Sequence, residues 1–249
     1  MDIHDHLPET KGTSDLSEAK EDSKVSGVSQ ASRIVYPDYA DTEPCRLKEA
    51  EVAYGHGKRQ GEYTIEDYYT LPDDIRAELI DGELYLMAAP SLKHQWILAQ
   101  LTTILTLYVR NRKGKCMVFP APLDIQLDRD IWTMLQPDVT ILCDRDKAQE
   151  KKIYGAPDFV AEILSPSTRR KDKIIKLRKY REAGVRECWL IDPEKETIEV
   201  YLFRNPDLDV LPRVYTFDDV VPVGIYDGDC RIDFPDMFRD SMWPRGENA

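Results

Sequence analysis

The sequence predicts an α/β protein, a mixed β-sheet flanked by helices and entered through an N-terminal hairpin. Three observations carry that expectation. An Asp81-Gly82 pair joins two short runs of alternating apolar residues between Ala77 and Met87, the strongest local hairpin signal in the chain. Downstream, apolar runs of strand length alternate with stretches of helical periodicity, the order expected of a sheet covered by helices. One run, Phe159-Val160-Ala161-Glu162-Ile163-Leu164, is hydrophobic enough for the middle of such a sheet.

Residues 1–61 hold 12 acidic and 8 basic side chains and lack sustained apolar periodicity. They are expected to be a disordered acidic tail ahead of one domain spanning 62–249. Thr64, followed by Glu66 and Asp67, reads as the N-cap of a short helix that Leu71-Pro72 closes. After the hairpin, Ser91 can cap a long helix running to about Asn111. Its apolar stretch, Trp96 to Val109, contains Gln100 and three threonines and falls short of the roughly 18 apolar residues of a membrane span. A buried core helix is expected instead.

Four strands follow: Lys115 to Phe119, continuing past Pro120 and Pro122 into Leu123 to Leu127; Val139 to Cys143; Phe159 to Leu164; and Cys188 to Ile191, with Thr197 to Leu202 as hairpin partner. Between the last two lies a basic helix from about Lys173 to Ala183, with Asp172 as N-cap and Gly184 as stop. From Asn205 onward the chain is acidic and loop-rich.

A formal charge of -12, from 46 acidic against 34 Lys and Arg side chains, argues against a protein that coats polyanions uniformly. The average hides a local exception, since residues 169–181 hold eight basic side chains and one acid. Phosphate loops, dinucleotide-binding glycine fingerprints, G-x-S-x-G elbows and H-E-x-x-H pairs are all missing from the sequence. Three of the four histidines, His4, His6 and His56, fall in the tail. A metal in the folded region would therefore rest on carboxylates, which suit Mg²⁺, Mn²⁺ or Ca²⁺. The five cysteines are widely spaced with no C-x-x-C pair. With no apolar signal segment in the first 30 residues, reduced thiols in a cytoplasmic protein are expected.

Chemistry is then sought among acids in apolar surroundings. Glu162 interrupts the most apolar strand, where an ionised carboxylate is costly without a partner. Asp138 follows Pro137 at the start of another strand, and Glu78 opens the hairpin. If the strands are neighbours, the three acids converge and repel one another unless a cation offsets them. Spacing alone leaves a blander reading open, in which Glu162 is an edge or ion-pair residue and Asp138 a turn former. The basic stretch can likewise be a solvated face or a phosphate contact through Arg169, Arg170, Lys171, Lys173 and Lys179. As a regular helix it would turn Ile174, Ile175, Leu177 and Tyr180 toward the core.

Taken together, Glu78-Leu79-Ile80-Asp81-Gly82-Glu83-Leu84, Ala89-Pro90-Ser91, His94-Gln95, Gln136-Pro137-Asp138-Val139, Ala156-Pro157-Asp158, Glu162-Ile163-Leu164-Ser165-Pro166-Ser167-Thr168, Asp172, Lys176, Tyr180, Gly184-Val185 and Trp189-Leu190-Ile191-Asp192 resemble the Uma-two type of bacterial restriction endonuclease-like proteins, within the PD-(D/E)XK nuclease superfamily. The resemblance covers about Tyr63 to Leu202. It implies a restriction-endonuclease-like core that hydrolyses DNA with Mg²⁺ (or Mn²⁺) held by Asp138 and Glu162. Glu78 would be a supporting acid and His94 a helper base or phosphate contact. The superfamily lysine is missing, since Leu164 stands two residues after Glu162; either Lys176 replaces it, or the protein is a weak or inactive nuclease fold that binds nucleic acid or a protein partner. DNA is the expected partner, no membrane is expected, and a homodimer stays open.

Overall fold

The structure, a computed structural model, describes residues 58–203 and 211–243. The predicted tail up to residue 57 lies outside them, and so does Cys45. Just ahead of residue 62, Lys58 pairs with Asp67 and Gly61 bonds through its N–H to the Gly82 carbonyl.

Helix α1 (Ile65–Tyr68) is capped as expected: the Thr64 hydroxyl accepts from the Asp67 N–H, and the Asp67 carboxylate accepts from the Thr64 N–H. Strands β1 (Ala77–Ile80) and β2 (Glu83–Leu86) form the hairpin. Asp81 and Gly82, both at positive φ, make the two-residue turn that the strand twist requires. Helix α2 (Leu92–Asn111) starts at Ser91, whose hydroxyl accepts from the His94 N–H. Its residues Ile97, Leu101 and Leu105 are fully buried at helical spacing, each worth about 1.5–3 kcal/mol in apolar burial.

Strands β3 (Met117–Pro120) and β4 (Asp124–Gln126) do not continue one another. A cis Ala121–Pro122 bond lies between them, and β4 leaves the main sheet to pair in parallel with β6 (Lys152–Tyr154), a strand too short to leave a pattern. The main sheet gains β5 (Val139–Leu142), β7 (Phe159–Ile163), β8 (Glu187–Asp192), β9 (Thr197–Leu202) and β10 (Arg213–Thr216). Its order is β10-β9-β8-β7-β5-β3, with β7 and β8 parallel and every other pair antiparallel. The region after Asn205 is richer in structure than its composition suggests: β10 extends the sheet, β11 (Val220–Pro222) pairs with β12 (Arg231–Asp233), and α4 (Phe234–Phe238) follows. Phe217, Phe234 and Phe238 stack there against the core.

Strand alternation assigns the two faces. Phe159, Ala161 and Ile163 of β7 meet α2, whereas Val160 and Leu164 meet Tyr180 and Val185 on the opposite side. Glu162, between Val160 and Leu164 in the alternation, shares their face.

The basic helix departs most from expectation. Residues 169 and 170 are already helical, and Asp172 is an interior residue rather than the cap. Ser165 does the capping, since its Oγ accepts from the Thr168 N–H and its carbonyl from Arg169 N–H. Lys171–Lys176 then forms a π-helical turn, closed by the Leu177 N–H reaching back five residues to the Asp172 carbonyl, before α3 (Leu177–Ala183) resumes. The wider turn breaks the 3.6-residue phase. Ile174, expected in the core, is 51% exposed, while Lys176 and Lys179 are buried.

The expectation of reduced thiols also needs correction. The register pairing Met117 with Leu142 brings Cys116 opposite Cys143 just beyond the strands, and the two form a disulfide; Cys188 and Cys230 are buried free thiols. Nothing in a 27-residue separation reveals such a pairing. Cys116→Ser should lower stability by on the order of 3 kcal/mol, read as a denaturant midpoint that in the parent protein shifts on adding reductant and in the variant does not.

Candidate active site

The pairing of Val139 with Ala161 places residue 138 opposite residue 162 across β5 and β7. Directly opposed residues of an antiparallel pair share a face, so Asp138 and Glu162 meet at the rim of the sheet. Asp138 Oδ2 accepts from the Ile163 N–H at 2.7 Å and lies 3.2 Å from His94 Nε2, presented by the first turn of α2. The Nδ1 atom of His94 is buried without a hydrogen-bond partner among the described residues.

Glu162 faces the π-turn. Its Oε1 accepts from the Tyr180 hydroxyl and sits 2.6 Å from Lys176 Nζ. The same ammonium lies 2.8 Å from Glu78 Oε1 and 3.6 Å from Asp172 Oδ1. Lys171 closes the group from one π-turn earlier, 2.7 Å from Glu78 Oε2. On a regular α-helix, residues five apart point about 140° away from each other. The π-turn brings both lysines to one carboxylate. The Gln136 N–H adds a third donor to Glu78.

Glu78, Glu162 and Lys176 are 1%, 4% and 2% exposed, so their charges must be balanced locally. Two of the three acids expected to need a cation, Glu78 and Glu162, therefore find one in Lys176. Burial alone would raise the Glu78 carboxyl, but Lys176 and then Lys171 outweigh it and hold it down at about 2. Glu162 goes the other way: burial raises it well above the ordinary carboxylate range, Lys176 opposes, and Asp172, Asp138 and Glu78 add to the rise. Burial works against a charged Lys176, yet Glu162, Glu78, Tyr180 and Asp172 keep its pKa well above that of a free lysine.

These residues line a cleft of about 550 Å³ whose walls also include Arg76, Ser91, Gln136, Ser165 and Thr168. Leu164, where the superfamily pattern has lysine, is buried in the apolar cluster beneath Tyr180. Among the described residues no group of three or more His, Cys, Asp or Glu side chains is arranged to hold an ion. The sequence-predicted basic residues sit on the cleft's helix but are largely engaged. Arg169 pairs with Asp192 and Glu194, Lys171 with Glu78, Lys173 with Glu199, and Lys179 with Asp81 and Asp128; Arg170 also has a partner. Sequence reasoning missed Arg76, Gln136 and Tyr180 as parts of the site. Their roles depend on the hairpin and helix meeting, which spacing does not show.

The core is a mixed α/β sheet flanked by helices, with Asp138 opposed to Glu162 across adjacent strands and Lys176 beside Glu162. It matches the crystal structure of "a putative nuclease" from Anabaena variabilis with a TM-score of 0.58 over 71% of this chain and 97% of that one; at 23% identity the likeness is one of fold. The chain belongs to the Uma2 family, whose model, described as "Putative restriction endonuclease", matches residues 65–223. An uncharacterised protein of Synechocystis sp., slr1290, is 29% identical over 144 residues, covering 57% of this chain and 73% of that protein. No helix among the described residues is long and apolar enough to cross a membrane.

Proposed function

We propose that the protein is a Mg²⁺- or Mn²⁺-dependent endonuclease that hydrolyses DNA phosphodiester bonds in this cleft. The observation that carries the reading is the opposed pair Asp138 and Glu162 with the Lys176 ammonium 2.6 Å from Glu162. The donor set fits a hard divalent ion. Among the described residues, the protein's donors converge on one oxygen of each carboxylate, Oδ2 of Asp138 and Oε1 of Glu162, so Asp138 and Glu162 would hold the ion through their second oxygens. Two carboxylates suit Mg²⁺, which retains several waters and takes further oxygens from a phosphate. When bound, the ion supplies a water of lowered pKa and neutralises charge at the phosphorus.

The chain's own residues do the rest. Ile163 N–H and His94 hold the Asp138 carboxylate in place. Tyr180 and Lys176 hold Glu162, and Lys176 keeps a positive charge beside the scissile phosphate in the role that Leu164 cannot fill. Glu78 fixes Lys176 from the other side. His94→Gln should slow cleavage about 10- to 100-fold, the usual effect of loosening a group that orients a metal ligand, measured as plasmid nicking at saturating Mn²⁺.

Backbone contact would come from Arg169, Arg170, Lys171, Lys173 and Lys179, and because carboxylates already engage most of these, it should be modest and fall steeply with salt. The reading places the protein with DNA in the cytoplasm, and a homodimer would suit cleavage of both strands. A second reading, a nuclease fold that binds nucleic acid or a protein partner without cutting, is favoured by Leu164 in the apolar cluster. Supercoiled plasmid incubated with Mg²⁺ or Mn²⁺ separates them: nicking that disappears in the Asp138→Asn, Glu162→Gln double variant supports catalysis, and equal background in both proteins supports the second reading.

A further inference from the structure

Two residues before Glu78, on the same face of the hairpin strand, Arg76 lines the cleft. The other two basic side chains of its walls, Lys171 and Lys176, are bound to Glu78 or Glu162. Arg76 has no carboxylate partner among the described residues. Its Nη2 donates to the neutral amide oxygen Gln136 Oε1 at 3.0 Å, and its Nε is buried without a hydrogen-bond partner among the described residues. An unpaired buried N–H of a charged guanidinium is costly unless a ligand completes it.

The way Arg76 is held points the same way. Tyr68 donates its hydroxyl proton to Asp124 Oδ1 at 2.8 Å, so its oxygen is free to accept from Gln136 Nε2 at 2.9 Å. Gln136 Nε2 also donates to Asp124 Oδ1 at 2.9 Å. With both donors committed, the amide can offer Arg76 only its oxygen. Asp124 thus fixes the guanidinium through two intermediaries without neutralising it. A cation oriented this firmly and left uncompensated in a cleft otherwise rich in acids is suited to a phosphate, which guanidinium binds through paired N–H donors.

We propose that Arg76 is a phosphate-binding residue of the cleft, contacting the substrate's backbone beside the Asp138–Glu162 pair, with Gln136 and Tyr68 as positioning residues. The proposal rests on the phosphodiester reading of the site, and the experiment separates the two. In the full-length protein, inorganic phosphate is titrated while the Arg76 Nε–Hε signal, assigned by its loss in Arg76→Lys, is followed by NMR. Nicking of plasmid in Mn²⁺ is measured in parallel for Arg76→Gln, Arg76→Lys and Gln136→Leu.

The expected result is a saturable shift of the Arg76 signal, a KM about tenfold higher for Arg76→Gln at nearly unchanged kcat, partial recovery in Arg76→Lys, and a smaller KM rise in Gln136→Leu. Thermal melting of each variant shows whether it is folded, and the phosphate titration of the parent protein stands whether or not Arg76→Gln folds. A shift without any nicking would keep the phosphate site and remove the nuclease reading. An unmoved signal, or nicking with KM unchanged in folded Arg76→Gln, overturns the proposal.

Discussion

Replacing Lys176 by methionine is expected to destabilise the protein by about 3–5 kcal/mol at neutral pH and to abolish cleavage. The substitution keeps the volume but removes the cation shared by two buried carboxylates, and an uncompensated buried charge costs that much. Lys171 still reaches Glu78 at 2.7 Å, so the larger damage falls on Glu162, whose main opposing influence is Lys176. The pH dependence follows with definite sign. Glu78, held down at about 2 against an ordinary 4.5, contributes stability above 4.5 that is lost as pH falls toward 2. Glu162, raised by burial, behaves oppositely: its protonated form is the favoured one, and the stability it contributes fades as pH rises through its folded-state pKa. Without Lys176 the Glu162 carboxyl rises further and takes up a proton as the pH falls. The stability gap between parent and Lys176→Met, measured by urea denaturation, should therefore narrow as the pH is lowered. A constant gap would show that Lys176 is not the counterion of Glu162.

The second large effect separates stability from activity. Glu162→Gln and Asp138→Asn should each lower metal-dependent cleavage by about three orders of magnitude, the scale of losing a group that stabilises transition-state charge. Neither should lower the melting temperature. A glutamine at 162 can still accept from Tyr180 and Lys176 while no longer carrying a charge that burial and Asp172, Asp138 and Glu78 all disfavour. An asparagine at 138 can accept from Ile163 N–H and His94 through its amide oxygen. Unchanged or raised melting with lost nicking is the expected pattern; lost nicking with a fall of many degrees would mean that these carboxylates hold the fold instead.

The fold was legible where local chemistry is strong. The Asp81-Gly82 turn, the Ser91 cap and the apolar runs of β5, β7 and β8 each leave a mark that no tertiary contact reverses. The opposed acids were foreseeable from Asp138 and Glu162 at the ends of two such strands, conditional on adjacency. What escaped depended on long-range partners. Strand β6 is three residues long and exists because β4 lies beside it. The segment after Asn205 hides its aromatic residues among acids, and only their stacking reveals a core. The helix phase failed because Asp172 looks like a cap, while Ser165 upstream had already started the helix.

The π-turn gives this failure a meaning of its own. Such a turn is an α-helix carrying one surplus residue, and here the surplus lies between the two lysines that grip Glu78. At its start Lys171 reaches the hairpin at Glu78, and beyond it Tyr180 packs against the sheet while Lys179 returns to Asp81 of the hairpin turn. Excising one residue would restore a regular helix and set the two lysines four apart, about 40° from one another and still on one face. The segment thus takes up one surplus residue between the grip of Lys171 and Lys176 on the hairpin and the packing of Tyr180 against the sheet.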